Sequence, residues 1–170
     1  KGDKFPREYL AAHYAHYGSL SDVYYFRLER VVPALSVFDL RPQLAAGINR
    51  KQAATTVAEQ YLDFARGIMG AEQFDQSLYA SSTIKGLIKA LFDPVHGDDA
   101  YTHDDLQDAA KRFNTDGETP PVSHPDFEDA LETFANFDAE MREKISSAVT
   151  GRLSTIAEQP QLRRVLNHRP

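Results

Sequence analysis

The amino-acid sequence contains no cysteine in its 170 residues, which excludes disulfide bonds and thiolate metal sites and fits a reducing cytoplasm. No run of residues approaches the roughly 18 consecutive apolar residues of a membrane-spanning helix, so the sequence predicts a segment outside the bilayer. A phosphate-binding loop of the Gly-x-x-x-x-Gly-Lys-Ser/Thr type is also absent, which excludes that element of a P-loop NTPase from this segment. The hydrophobic content of 42% suffices for one core.

Basic residues are outnumbered, and the formal net charge of −6 argues against a uniformly basic nucleic-acid surface. Acidic residues concentrate in segments 98–108 and 118–143. Basic residues occupy the middle and the end of the chain, which permits one basic side: Arg50, Lys51, Arg66, Lys85, Lys89, Arg152, Arg163, Arg164 and Arg169.

In the N-terminal third of the chain, the sequence predicts a short helix followed by one strand that has no partner. Aromatic residues at helical spacing predict a helix that ends at Gly18. Val23 to Phe26 has the aromatic and β-branched character of a buried strand, and Leu35 to Leu40 predicts an extended connector or a short edge strand. Because a lone strand leaves its backbone groups unpaired, and because the chain opens Lys1-Gly2-Asp3, we expect a piece of a larger protein.

The remainder of the chain, residues 49–170, predicts an all-α domain, whereas residues 1–48 predict a fragment of another core. Apolar residues recur at helical spacing in every stretch, and caps or prolines separate the stretches. The predicted helices cover 49–70, 71–92 with a break at Ser81 to Thr83, 103–113 after a capping sequence at Thr102, and 127–156 without interruption, before a final turn at 161–166. The predicted fold is therefore mainly α, a multi-helix orthogonal bundle.

No motif identifies catalysis. His96 and His103 with nearby aspartates could hold a divalent metal, as could His13 and His16 on one helical face. The spacing matches no standard metal loop, and helix-start electrostatics already explain Asp98, Asp104 and Asp105. The carboxylates at the start of the last long helix have the same explanation. The sequence therefore predicts neither a catalytic residue nor a metal ligand.

The sequence nevertheless carries a family resemblance, through short motifs, over nearly its whole length. Lys1-Gly2-Asp3, a helix, and then Val23-Tyr24-Tyr25-Phe26 resemble the stretch after the Walker A helix in TraG/TraD-like coupling-protein ATPases of conjugation and type IV secretion. In that family a strand ends in Asp-Pro-Lys-Gly-Asp/Glu, and this chain begins at the lysine. Ser36 to Leu40 resembles the segment leading out of the ATPase core, and residues 49–156 look like the family's all-α insertion.

The resemblance implies that the parent is a larger α/β P-loop ATPase, a homo-hexamer that binds ATP and Mg²⁺ and pumps DNA or protein. Lys1 and Asp3 would lie near its nucleotide core. Four basic residues of the middle group would be the candidates for contacts with a DNA phosphate backbone, namely Arg50, Lys51, Lys85 and Lys89. The all-α domain would contact DNA, the relaxase or secreted protein cargo in the cytoplasm at the inner face of the cell membrane. Membrane contact would come only from parts outside this segment.

Two other interpretations stay open. The chain can instead be a non-catalytic helical interaction or regulatory module that binds a partner protein through an aromatic surface, with Tyr9, Tyr14, Tyr24 and Tyr25 as its contact residues. A small metal-dependent helical enzyme built on His96, His103 and nearby aspartates is the third. DNA binding at low salt separates the first two interpretations, and metal analysis tests the third.

Overall fold

A computed structural model describes residues 4–21, 23, 36–74, 77–135 and 137–168. The chain divides into two compact units, Lys1–Pro33 and Ala34–Pro170. Of the predicted features, Lys1, Asp3 and most of the strand from Val23 to Phe26 lie outside the described residues. The predicted boundary between Ile48 and Asn49 differs from this division, because residues 34–48 cluster with the helical unit. Their origin in an ATPase core stays a prediction.

The first unit contains helix α1, Lys4–Tyr17. Gly18 ends the helix, as the sequence predicts, in a left-handed conformation with φ 69° that favours glycine. Its amide donates to the Tyr14 carbonyl at 2.8 Å. Residues four apart share a helix face, and accordingly the His13 ring lies 4.6 Å from the Tyr17 ring and 6.0 Å from the Tyr9 ring.

The second unit is built from helices and one short antiparallel ladder. Its elements are β1 (Phe38–Asp39), α2 (Arg41–Ala45), α3 (Arg50–Met69), α4 (Ala71–Phe74), α5 (Leu78–Leu91), a 3₁₀ turn (Pro94–His96), β2 (Ala100–Tyr101), α6 (His103–Asp116), a second 3₁₀ turn (Pro125–Phe127), α7 (Glu128–Ala135), α8 (Ala139–Ala157) and α9 (Pro160–Leu166). The mainly α class is confirmed.

Helix α5 lies at the centre of the packing. It contacts α3, α6, α7 and α8, and α6 also packs along α8. Its apolar residues Ile84, Leu87 and Ile88 are fully buried. Gly86 allows α7 to approach closely, since an added Cβ there would lie 2.7 Å from the Ala130 carbonyl oxygen. Burial of this kind is the main favourable contribution to folding.

Local sequence sets the helix ends that were predicted correctly. The Asn49 side chain accepts a hydrogen bond from the Gln52 amide at the start of α3, and Gly70 follows its last residue. At the start of α6, Thr102 and Asp105 form a reciprocal capping box. These side chains satisfy amides that have no partner within the helix.

The predicted break at Ser81 to Thr83 is wrong. These residues lie inside α5, and the helix begins after Ser77, whose hydroxyl accepts from the Ala80 amide at 3.3 Å. Thr83 is fully buried, so its side chain packs within the unit. Three consecutive hydroxyl residues resemble a cap, but tertiary burial overrides that local preference.

The predicted uninterrupted helix over 127–156 is also wrong. Helix α7 ends at Ala135 and α8 begins at Ala139. Asp138 caps α8, because its carboxylate accepts from the Met141 amide at 2.7 Å. The apolar periodicity continues across this junction, and periodicity alone does not reveal a change of direction.

The predicted connector at Leu35 to Leu40 contains strand β1, which pairs with β2. Phe38 is opposite Tyr101, and Asp39 is opposite Ala100. The fully buried Phe38 ring stacks on Tyr101 at 4.6 Å and lies 5.0 Å from Tyr61. This aromatic cluster anchors the segment before α2 to the helices.

No helix among the described residues has the length and apolar character needed to cross a bilayer. The orthogonal arrangement of the bundle and the larger α/β parent stay predictions.

Candidate functional site

The four predicted nucleic-acid contacts lie on α3 and α5, and each faces a carboxylate. Arg50 forms an ion pair with Asp99 and donates to the Phe92 carbonyl. Lys85 pairs with Glu59 at 2.8 Å. These partners come from 26 or more residues away along the chain, so the fold creates these pairs and sequence spacing does not show them.

Lys51 and Lys89 share one carboxylate. The Asp129 Oδ2 atom lies 2.8 Å from the Lys89 Nζ atom and 3.7 Å from the Lys51 Nζ atom. Burial would raise the pKa of Asp129, but the two lysines outweigh that effect and hold the pKa below its ordinary value. Lys89 is only 8% exposed. A DNA phosphate would therefore have to displace Asp129 to reach the Lys89 ammonium.

The two histidines considered as metal ligands, His96 and His103, lie in different environments. His103 is buried, and a hydrogen bond of 2.9 Å joins its Nε2 atom to the Tyr61 hydroxyl. His96 is half-buried at the end of the first 3₁₀ turn, and its Nε2 atom lies 3.0 Å from the Pro121 carbonyl oxygen. Within the described residues, no group of three histidines or carboxylates is arranged to hold a metal ion.

A buried carboxylate joins the end of α5 to the segment before the second 3₁₀ turn. Asp93 accepts hydrogen bonds from the amides of Val95, Ser123 and His124 and from the Ser123 hydroxyl, at 2.8 to 3.2 Å. Burial alone would raise the pKa of Asp93, but these four donors hold it below its ordinary value. The sequence did not reveal this contact, because Ser123 and His124 lie thirty or more residues from Asp93 in the chain.

A cleft lies between α6, the first 3₁₀ turn and the segment Glu118–Pro121. We call it the His96–Arg112 cleft. One lobe, of about 230 Å³, is lined by the apolar residues Leu91, Ala109, Pro120 and Pro121 and by the polar residues Glu118 and Thr119. The adjoining lobe, of about 210 Å³, is lined by Asp98, Tyr101, Asp105 and Asp108. Leu91, His96 and Arg112 line both lobes.

The electrostatics of this cleft are predominantly negative. Four carboxylates line it, those of Asp98, Asp105, Asp108 and Glu118, against the single guanidinium of Arg112. No described residue forms an ion pair with Arg112. Asp105 also serves the capping box, and Asp108 lies 3.2 Å from Lys111. The cleft can therefore attract a cation and cover an apolar group beside it.

Sequence reasoning placed residues of this cleft in separate roles. It assigned Asp98 and Asp105 to helix-start electrostatics and considered His96 as a metal ligand. The His96 ring contacts Pro121, and Asp93 binds Ser123 and His124 just beyond it, but no local pattern reveals either contact. No protein-family model matches the chain, and neither a curated protein nor a solved structure matches it.

Proposed function

We propose that the chain is the non-catalytic, substrate-engaging helical module of an ATP-driven translocase of the conjugation coupling-protein type, and that it engages protein cargo. The observation that carries the preference for protein is the pairing of Arg50, Lys51, Lys85 and Lys89 with carboxylates. Under this proposal ATP and Mg²⁺ bind in the hexameric parent motor, outside this chain, at the cytoplasmic face of the membrane.

The charge of the helical unit supports the same preference. Residues 34–170 contain 14 Lys and Arg against 21 Asp and Glu, a formal net charge of −7. DNA binding depends on releasing counterions through clustered cations. A surface with this excess of carboxylates repels a phosphate backbone.

DNA affinity tests the proposal directly. With labelled single- and double-stranded oligonucleotides at 50 mM salt, we expect the Kd of the 170-residue chain to be weaker than about 10⁻⁴ M, the weak limit of ordinary non-specific binding. Replacing Asp99, Asp129 and Glu59 by their amides releases the four cations and should strengthen binding with a steeper salt dependence. A Kd below about 10⁻⁶ M for the unaltered chain would contradict the preference for protein.

The matched control replaces three exposed carboxylates that form none of these pairs, Glu72, Glu132 and Glu143, by their amides. It makes the same change in net charge. If this control gained as much DNA affinity as the first variant, net charge and not the released cations would be responsible. The motor itself has a separate test, because the gene should encode a Gly-x-x-x-x-Gly-Lys-Ser/Thr loop upstream of this segment. Its absence there would contradict the coupling-protein proposal.

A second candidate function, a helical interaction module without a motor, has one observation in its favour. Tyr9, Tyr14 and Tyr17 on α1 are 52%, 58% and 68% exposed. Large aromatic side chains with polar tips are enriched at protein interfaces. Tyr24 and Tyr25, which the sequence placed on the same surface, lie outside the described residues. A gene without the upstream loop would favour this second candidate.

A further inference from the structure

We propose that the His96–Arg112 cleft binds a short extended peptide in which an apolar side chain and a lysine or arginine lie two residues apart. This inference deepens the proposed engagement of protein cargo and rests on it. It assigns the recognition of that cargo to one place in the helical unit.

The two lobes differ in chemistry and lie side by side. The first lobe combines apolar side chains, among them the buried Ala109 and Pro120, with the polar side chains of Glu118 and Thr119. The second lobe presents Asp98, Asp105 and Asp108. Because Leu91, His96 and Arg112 line both lobes, a single ligand can occupy both at once.

Each lobe has room for one side chain. The volumes of about 230 and 210 Å³ each lie below the roughly 300 to 1,000 Å³ of a site that holds a whole drug-sized molecule. In an extended peptide, side chains i and i+2 point to the same side of the backbone. An apolar residue at i therefore fills the first lobe while a basic residue at i+2 reaches the second.

The charge of the cleft favours a cationic over an anionic side chain in the bound peptide. Arg112 alone would attract a carboxylate or phosphate, but four carboxylates line the same cleft. An anion bound to Arg112 would lie among an excess of negative charge, which disfavours it. A lysine or arginine side chain gains from that excess and carries an apolar stem as well.

The fixed frame of the cleft supports a preformed site. His96 contacts the Pro121 carbonyl across the cleft at 3.0 Å, and Asp93 holds Ser123 just beyond it. Thr102 and Asp105 form the capping box that fixes the start of α6, next to the second lobe. A preorganised site loses less entropy when a flexible peptide binds.

The test is a titration of the isotope-labelled 170-residue chain with acetyl-Leu-Gly-Arg-Gly-amide, followed by amide chemical shifts in NMR. We expect a Kd of about 1 mM, with the largest shifts at Leu91, His96, Asp98, Ala109 and Arg112. A glutamate in place of the probe's arginine, or a glycine in place of its leucine, should weaken binding about tenfold.

The protein variant Asp98→Asn with Asp108→Asn removes two exposed carboxylates from the cleft and should weaken binding of the arginine probe about three- to tenfold. The control, Glu132→Gln with Glu143→Gln, removes the same charge from exposed positions on α7 and α8 and should leave the Kd unchanged. Circular dichroism confirms that both variants are folded.

Shifts confined to other surfaces, no shifts at all, or equal affinity for the arginine and glutamate probes would overturn the cleft proposal. None of these outcomes affects the DNA measurement, so the wider proposal of protein engagement would stand. Tight DNA binding, in contrast, would overturn that wider proposal without changing the peptide result.

Discussion

Single residues that link distant parts of the chain determine much of this structure. Asp93 is fully buried and yet ionised, because four donors surround its two oxygens. An ionised carboxylate without such partners would be far too costly to bury. His103 is buried as a neutral group instead, because burial lowers the pKa of its imidazole. Both residues lead to predictions about stability.

Replacing Asp93 by asparagine should lower the free energy of unfolding by about 3 kcal/mol at pH 7, because an amide leaves donors unsatisfied. The pKa of Asp93 is lowered in the folded state. Its contribution is therefore present above the ordinary pKa of 3.8 and is lost as the pH falls below it. Urea unfolding at several pH values measures both effects. Asp126→Asn, at an exposed site, is the control and should change stability by less than about 0.5 kcal/mol.

His103 predicts a second pH dependence, at higher pH. Burial lowers its pKa from 6.5 to about 4, with a raising effect of Asp104 and a lowering effect of Arg163. Between those two values the unfolded chain binds more protons, so stability should fall by about 3 kcal/mol as the pH decreases from 6.5 to 4. NMR titration of the His103 ring checks the pKa, and a value near 6.5 would contradict the prediction. In His103→Gln the slope between pH 6.5 and 4.5 should flatten.

The candidate DNA contacts also show why site residues were hard to predict. Lys51 and Lys89 were chosen because they stand on helical faces, and their common partner Asp129 is far away in the sequence. Spacing identifies the face on which a residue lies but does not identify the opposing charge. The cleft was missed for the same reason, because Asp98 and Pro121 come to line its two lobes only after folding.

At the scale of elements, local signals predicted the helix ends that local chemistry determines. The Asn49 cap, the Thr102 capping box and the stop at Gly70 all follow from side chains within a few residues. The errors arose where tertiary packing decides. Ser81 to Thr83 resembles a cap but lies inside α5, and the apolar stripe from Phe127 continues past the end of α7.

The contact between α5 and α7 depends on the absence of a side chain at Gly86. Gly86→Ala should reduce the free energy of unfolding by about 2 kcal/mol, because the new Cβ meets the Ala130 carbonyl at 2.7 Å and the Phe134 ring at 3.0 Å. The control is Gly67→Ala in α3, where nothing lies within 4 Å. That change should stabilise the protein by about 0.5 to 1 kcal/mol. Equal effects in thermal melts would refute the close packing at Gly86.

The junction before α8 has its own test. Asp138→Ala removes the acceptor for the Met141 amide and should cost about 1 kcal/mol of unfolding free energy. Glu143→Ala, within the exposed face of the same helix, should change it by less than about 0.5 kcal/mol. Chemical denaturation measures both. Similar values for the two variants would support a continuous helix instead of the observed junction.

At the scale of the whole molecule, the compact units divide between Pro33 and Ala34. The sequence placed the division fifteen residues later, because α3 begins the clear helical periodicity. Residues 35–40 were predicted to form an extended connector or a short edge strand that leads out of an ATPase core. In the structure they complete the core of the helical unit by pairing with Ala100 and Tyr101.

Phe38→Ala tests that assignment. The ring is fully buried against Tyr61 and Tyr101, so its removal should cost about 3 to 5 kcal/mol of unfolding free energy. Val95→Ala, at a half-exposed site, should cost less than about 1 kcal/mol. Differential denaturation of the two variants makes the comparison. A small effect at Phe38 would mean that the segment before α2 contributes little to the core.

The thirty-residue contact of Asp93 has a consequence for the cleft. Apart from Leu91, every residue lining the cleft lies between Asp93 and Ser123 in the sequence. The carboxylate thus closes a loop that contains all of the proposed binding surface except Leu91, and closing such a loop costs chain entropy. Protonation of Asp93 and binding of a ligand that requires the closed loop then oppose each other by thermodynamic linkage. Acid would release the ligand, and the ligand would make the carboxyl group harder to protonate.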